Sequence, residues 1–209
     1  MGTQLSANHV YIWHEIKNQE ERYDKLISFF KELKSEWINR EGDFEIGRKL
    51  SSCSMEIQGL KYSMALNISA YVEAMANFYL ATNMKESQFN AIERCTLEDK
   101  WMNLIPMIES KFLFPKGTHI YEAFKTLQQS RNAITHMKPS IKVDGIKKHK
   151  GMNPDGISFN QEDERIIKLW IQLPNDLLNS METQIGKDKV SILKHFSGFT
   201  LFVRGVTRI

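Results

Sequence analysis

Cysteine is scarce in this chain: Cys53 and Cys95 are the only two in 209 residues. That density excludes a disulfide framework, and neither residue stands at metal-ligand spacing, so free buried thiols are the expectation. His9, His14, His119 and His195 likewise lack partners at such spacing, which leaves them as surface or hydrogen-bonded core histidines and calls for no metal and no cofactor. There is no charged-then-apolar leader at Met1 and no apolar run long enough to span a bilayer, so the expectation is a cytoplasmic protein that does not enter a membrane. The formal net charge is only +3. Contact with nucleic acid would have to come from local patches rather than from a global field. No internal repeat and no low-complexity segment is present.

What the sequence has in abundance is helical periodicity. Tyr23, Leu26, Phe30, Leu33 and Trp37 step by three and four, and Leu50, Cys53, Ile57, Leu60, Met64, Ile68, Tyr71, Met75 and Phe78 continue the rhythm through many turns. Both read as stripes packed between helices. Gly59 interrupts the second, because an interior glycine costs about 1 kcal/mol relative to alanine. Thr96 with Asp99 three residues on forms a capping-box pattern ahead of Leu97, Trp101, Leu104 and Ile108, a helix that Pro106 is expected to kink. Phe114 to Gly117 reads as a loop, with Thr118 as cap of the next helix.

After Met137 the character changes. Pro139, Gly145, Gly151, Pro154 and Gly156 break any long helix, and residues 140–145 and 156–159 can pair as a short hairpin. Asn160 and Asp163 suggest another cap, followed by Ile166, Trp170 and Leu173 before Pro174; residues 188–199 read as a last helix, and 201–209 as strand or tail. The expected fold is all-α: an antiparallel helical bundle with a short irregular or hairpin insertion and C-terminal helices. One domain spans 1–209, its core at about 20–140 and a peripheral extension at 141–209.

The string RNAITH carries the chemistry. Ile120, Phe124 and Leu127 lead by steps of four and three to Arg131, then Ile134, so a charge stands where the buried stripe calls for an aliphatic residue. Either the long stem packs while its head reaches water, or the guanidinium serves a site. Asn132 and His136 lie four apart, about 40° from each other on one helix face, while Arg131 is about 140° round from His136 and about 7.5 Å along the axis. One helix closes such a site poorly; a second copy across a two-fold axis closes it more easily.

Arg131, the polar Asn132 directly after it, and His136 late in the last long helix of the domain resemble the motif of the HEPN superfamily of prokaryotic ribonucleases and toxins. The helix at 69–80 (SAYVEAMANFYL), then 97–109, then 124–139 follow the order of such domains, so the resemblance covers roughly 45–140. It implies a helical bundle, a homodimer that brings two motifs together, and metal-independent endoribonuclease activity. It also suggests a toxin or phage-defence effector, with RNA as substrate and an antitoxin or defence-system protein as partner. One subfamily carries a tyrosine two residues after the histidine, modified by a nucleotidyltransferase antitoxin; here that position is Lys138, and that regulation is not carried over.

On this reading His136, whose unperturbed pKa near 6.5 suits both directions of proton transfer, removes or delivers a proton. Arg131 grips the phosphate, and Asn132 orients the imidazole or ribose. Glu73, on the flank of the Tyr71 and Met75 stripe, can orient Arg131 or His136, or can simply face solvent. Lys138, Lys142, Lys147, Lys148 and Lys150 form the densest basic segment, which either guides an RNA backbone or is a solvated turn. The alternative function is a non-catalytic helical module binding RNA, a nucleotide or a protein.

Overall fold

The computed structural model describes residues 2–40, 43–135 and 161–196. Its first two helices, α1 (Gly2–Asn39) and α2 (Phe44–Asn83), form a long hairpin. The hairpin is antiparallel: the Cys53 thiol donates to the Leu26 carbonyl, and Asn67 Nδ2 donates to Gln19 Oε1 at 3.2 Å. Asp43 starts α2 by accepting from the backbone N–H of Glu45 and Ile46, which satisfies two donors that a helix start leaves free. The α2 stripe from Leu50 to Met75 is buried, and Gly59 leaves the helix unbroken. Cys53 is buried; Cys95 is half-buried.

Helix α1 reaches far ahead of the stripe that begins at Tyr23, with Trp13 and Ile16 in the core. Gln19 occupies the intervening core position at 6 % exposure. Its amide is satisfied there, donating to Ser63 Oγ at 2.8 Å and to Glu15, and accepting from Asn67. A buried amide with its partners in place continues a core stripe that hydropathy alone interrupts.

The remaining elements are α3 (Glu86–Ile92), α4 (Leu97–Asp99), a π-helical turn (Lys100–Leu104), α5 (Ile105–Ile108), α6 (His119–Thr135), α7 (Gln161–Ile185) and α8 (Lys187–Phe196). No strand occurs among the described residues, and the fold is all-α. The expected hairpin at 140–145 and 156–159 lies outside them.

Two features differ from the periodicity. Helix α7 runs through Pro174 instead of stopping before it, because Ile167, Trp170, Ile171 and Leu173 on one side and Leu177, Leu178 and Met181 on the other are all buried. That apolar burial outweighs the roughly 3 kcal/mol that an interior proline costs. The core therefore extends beyond residues 20–140 to include α7, together with Val190 and Leu193 of α8. At the start of α7, Asp163 pairs with Lys61 of α2, Glu164 with Lys31 of α1, and Arg165 with Glu122 of α6. Gly186, at φ +93, ends the helix where its N–H reaches the Glu182 carbonyl at 3.0 Å.

Candidate functional site

Helix α6 buries Ile120, Ala123, Phe124 and Leu127, and the next residue on that stripe is Arg131. Its side chain is 40 % exposed, so the buried stripe gives way there to a charged group open to solvent. The guanidinium Nη2 stands 3.7 Å from Glu73 Oε2 on α2, an ion-pair distance too long for a hydrogen bond. The other carboxylate oxygen of Glu73 accepts from Lys100 Nζ at 3.0 Å. Glu73 thus lies between two cations, one at the surface and one inside.

Lys100 is almost wholly enclosed, its side chain 1 % exposed. The chain brings it there through a local irregularity. Thr96 caps α4, its hydroxyl accepting from the Asp99 N–H at 3.1 Å and donating to the Asp99 carboxylate at 2.7 Å. That hydroxyl, helped by Asn103, holds the Asp99 carboxyl below its ordinary pKa. The backbone then widens into the π-helical turn, where the Ile105 N–H reaches back to the Lys100 carbonyl. Pro106, which has no N–H to give, follows at once. The Trp101 indole donates to the Val72 carbonyl at 3.1 Å, fixing the turn against α2 one residue before Glu73. Such π turns concentrate at functional sites because they re-aim side chains out of the α-helical register.

The turn also changes which residues are buried. Leu97 and Trp101 are in the core as the spacing expects, but Ile105 is fully buried, whereas Leu104 and Ile108 are only partly so. Two side-chain atoms on the neighbouring turns of α2 and α6, Asn77 Oδ1 and Gln128 Nε2, are buried without a hydrogen-bond partner. A buried acceptor or donor left open costs about 1–3 kcal/mol.

Asn132 is exposed, as are Ala133 and Thr135, whose hydroxyl donates back to the Arg131 carbonyl at 3.0 Å. The structure thus brings Arg131 and Glu73 together and leaves Asn132 at the surface beside them. His136, Lys138, Lys142, Lys147, Lys148 and Lys150 lie outside the described residues. Among the described residues no three His, Cys, Asp or Glu are grouped to hold a metal ion, and no helix is long and apolar enough to cross a membrane.

Lys100 is the site residue that periodicity did not single out. A signal existed: it stands directly before Trp101 and three after Leu97, on the edge of a buried stripe, where a lysine needs a carboxylate. Away from this site, a cleft of about 480 Å³ between α1 and α2 is lined by Gln19, Arg22, Glu56, Gly59 and Ser63, among others. His119 Nε2 lies 3.3 Å from Asp176 at the α6–α7 contact. Compared with protein-family models, with curated proteins and with solved structures, the chain finds no match.

Proposed function

We propose that the chain is a metal-independent endoribonuclease of HEPN type, acting as a homodimer through Arg131, Asn132 and His136. The observation that carries this reading is the setting of Arg131. It occupies a core stripe position, is 40 % exposed, and stands beside a carboxylate already bound to a buried lysine. A guanidinium so placed suits a phosphodiester, whose oxygens it can meet in pairs. The string RNAITH supplies the imidazole five residues further on.

In the proposed reaction His136 accepts the proton of the ribose 2′-hydroxyl as that oxygen attacks the adjacent phosphorus. Arg131 stabilises the negative charge that builds on the non-bridging oxygens. The bond from phosphorus to the 5′-oxygen breaks, and that oxygen takes a proton from the imidazolium or from water. The products are a 2′,3′-cyclic phosphate and a 5′-hydroxyl end. Biologically the reading is a toxin or defence effector directed at RNA, held in check by a protein partner, with the lysines of 138–150 drawing the backbone toward the site.

The test is incubation of the purified protein with RNA in EDTA, followed by mass spectrometry of the ends. Cyclic phosphate and 5′-hydroxyl ends are expected, and a substrate with 2′-deoxyribose at the cleaved position should survive. Ends bearing a 5′-phosphate, or activity abolished by chelation, overturn the mechanism. A non-catalytic RNA-binding module is the second reading, favoured by the partly exposed Arg131, which can hold a phosphate without any histidine. RNA bound but left intact by pure dimeric protein would establish it.

A further inference from the structure

We infer that Lys100 is a positioning residue that keeps the charge of Arg131 available to a phosphodiester backbone, by binding the carboxylate that would otherwise neutralise it. The inference rests on Arg131 being the phosphate-facing residue and goes beyond it, since Lys100 cannot touch substrate at 1 % exposure. Among the described residues Glu73 is the one anion at ion-pair distance from Arg131, and a guanidinium satisfied by one carboxylate has little net attraction left for another anion. Lys100 changes that balance. It sits nearer to Glu73, 3.0 Å against 3.7 Å, and makes the hydrogen bond that Arg131 does not. It is also removed from water, where its attraction for the carboxylate is screened least. Glu73 can then hold the direction of the Arg131 head while Lys100 cancels the Glu73 charge, and the trio retains one net positive charge at its exposed end.

Charge rescue tests this. The probe is a single-stranded DNA 12-mer, which offers phosphates but no 2′-hydroxyl, bound to the full chain over a range of salt and read by fluorescence anisotropy. Lys100→Met should lower the salt slope by about 0.7 and weaken binding roughly threefold at low salt, the effect of losing one phosphate contact on a single strand. Glu73→Gln alone should act in the opposite direction, and the double variant Lys100→Met/Glu73→Gln should return to the wild-type slope. A purely structural lysine changes stability but leaves the slope of the folded protein where it was, because the slope counts phosphate contacts and not packing. An unchanged slope in Lys100→Met, a double variant as weak as the single one, or a wild type that does not bind the DNA overturns the inference. If Lys100→Met does not fold, Lys100→Gln, which keeps a donor for Glu73 but carries no charge, decides in its place: a lower slope supports the inference and an unchanged one overturns it. Cleavage of the matching RNA 12-mer is scored separately, so intact RNA alongside the expected DNA results removes the nuclease reading and leaves the role of Lys100 standing.

Discussion

The Trp170 indole donates to the Thr126 hydroxyl at 2.9 Å, joining α7 to α6 five residues ahead of Arg131. Trp170 is 1 % exposed, and the same hydroxyl donates to the Glu122 carbonyl at 2.9 Å, so the bond belongs to a short relay rather than to a loose surface contact. Thr126→Val keeps the shape and removes the acceptor. It should destabilise the protein by about 1–3 kcal/mol in urea unfolding, the cost of a buried donor left unpaired. The double variant Thr126→Val/Trp170→Phe should cost clearly less than the sum of the two single changes. Strict additivity would show that the hydrogen bond contributes nothing to how α7 holds the motif helix.

Acid should loosen α7 at its start. Glu164 on α7 accepts from Lys31 of α1 at 3.0 Å and from Lys168 at 3.2 Å. The Lys31 hydrogen bond, with Lys168 adding to it, holds the carboxyl below its ordinary pKa. A folded-state pKa below the unfolded one gives stability that is present above the unfolded value, near 4.3 for a glutamate, and lost as the pH falls through the folded one. Glu164→Gln should therefore be less stable than wild type at pH 7, and the gap should close as the pH is lowered below about 4. A gap that stays constant between pH 7 and pH 3 would remove this pair from the acid response.

The long α2 stripe was legible because its steps of three and four from Leu50 to Met75 keep one α-helical frame and each side chain on them is apolar and buried. Where the frame breaks, so does the reading. Gln19 hides the first half of α1 because its burial depends on Ser63 and Asn67, which are distant in sequence. Pro174 reads as a stop, since nothing local reveals that Leu177 and Met181 have a core to enter. Arg131 stood out as a charge on an apolar stripe, and the flank position of Glu73 was enough to name it. Lys100 was masked by the π turn, which shifts the frame by a residue just where Leu104 and Ile108 were expected to point inward.

Two glycines should respond to alanine with opposite signs. A Cβ at Gly59 meets nothing within 4 Å, and the residue is helical, so Gly59→Ala should stabilise by about 0.5–1 kcal/mol. Gly186 also has open space around it, but its φ of +93 is one that side chains rarely adopt. Gly186→Ala should destabilise by about 1–2 kcal/mol. Thermal melts of the two variants measure both. A stabilising Gly186→Ala would mean that the α7–α8 junction can re-form with a different backbone.

Arg131 and His136 should separate from the structural residues by what their removal leaves intact. Arg131 is 40 % exposed and meets Glu73 at 3.7 Å without a hydrogen bond, so Arg131→Ala removes no tightly packed group. Its expected effect on the melting temperature is small. In the proposed reaction, however, its charge acts on the phosphate most strongly in the transition state, so cleavage should fall by a factor of roughly 10² or more. His136→Ala should lose a comparable factor, as a general base does, and combining the two should cost less than the product of the separate losses because they serve one step. Binding of the uncleavable DNA probe distinguishes their roles: Arg131→Ala should weaken it and lower the salt slope, whereas His136→Ala at pH 8, where an unperturbed imidazole is neutral, should leave both nearly unchanged. Replacing Lys147, Lys148 and Lys150 together should lower the slope further without altering the product ends. If Arg131→Ala melts far below wild type while its residual cleavage per folded molecule is normal, the arginine is a structural residue at the end of a stripe and the phosphate must be held elsewhere.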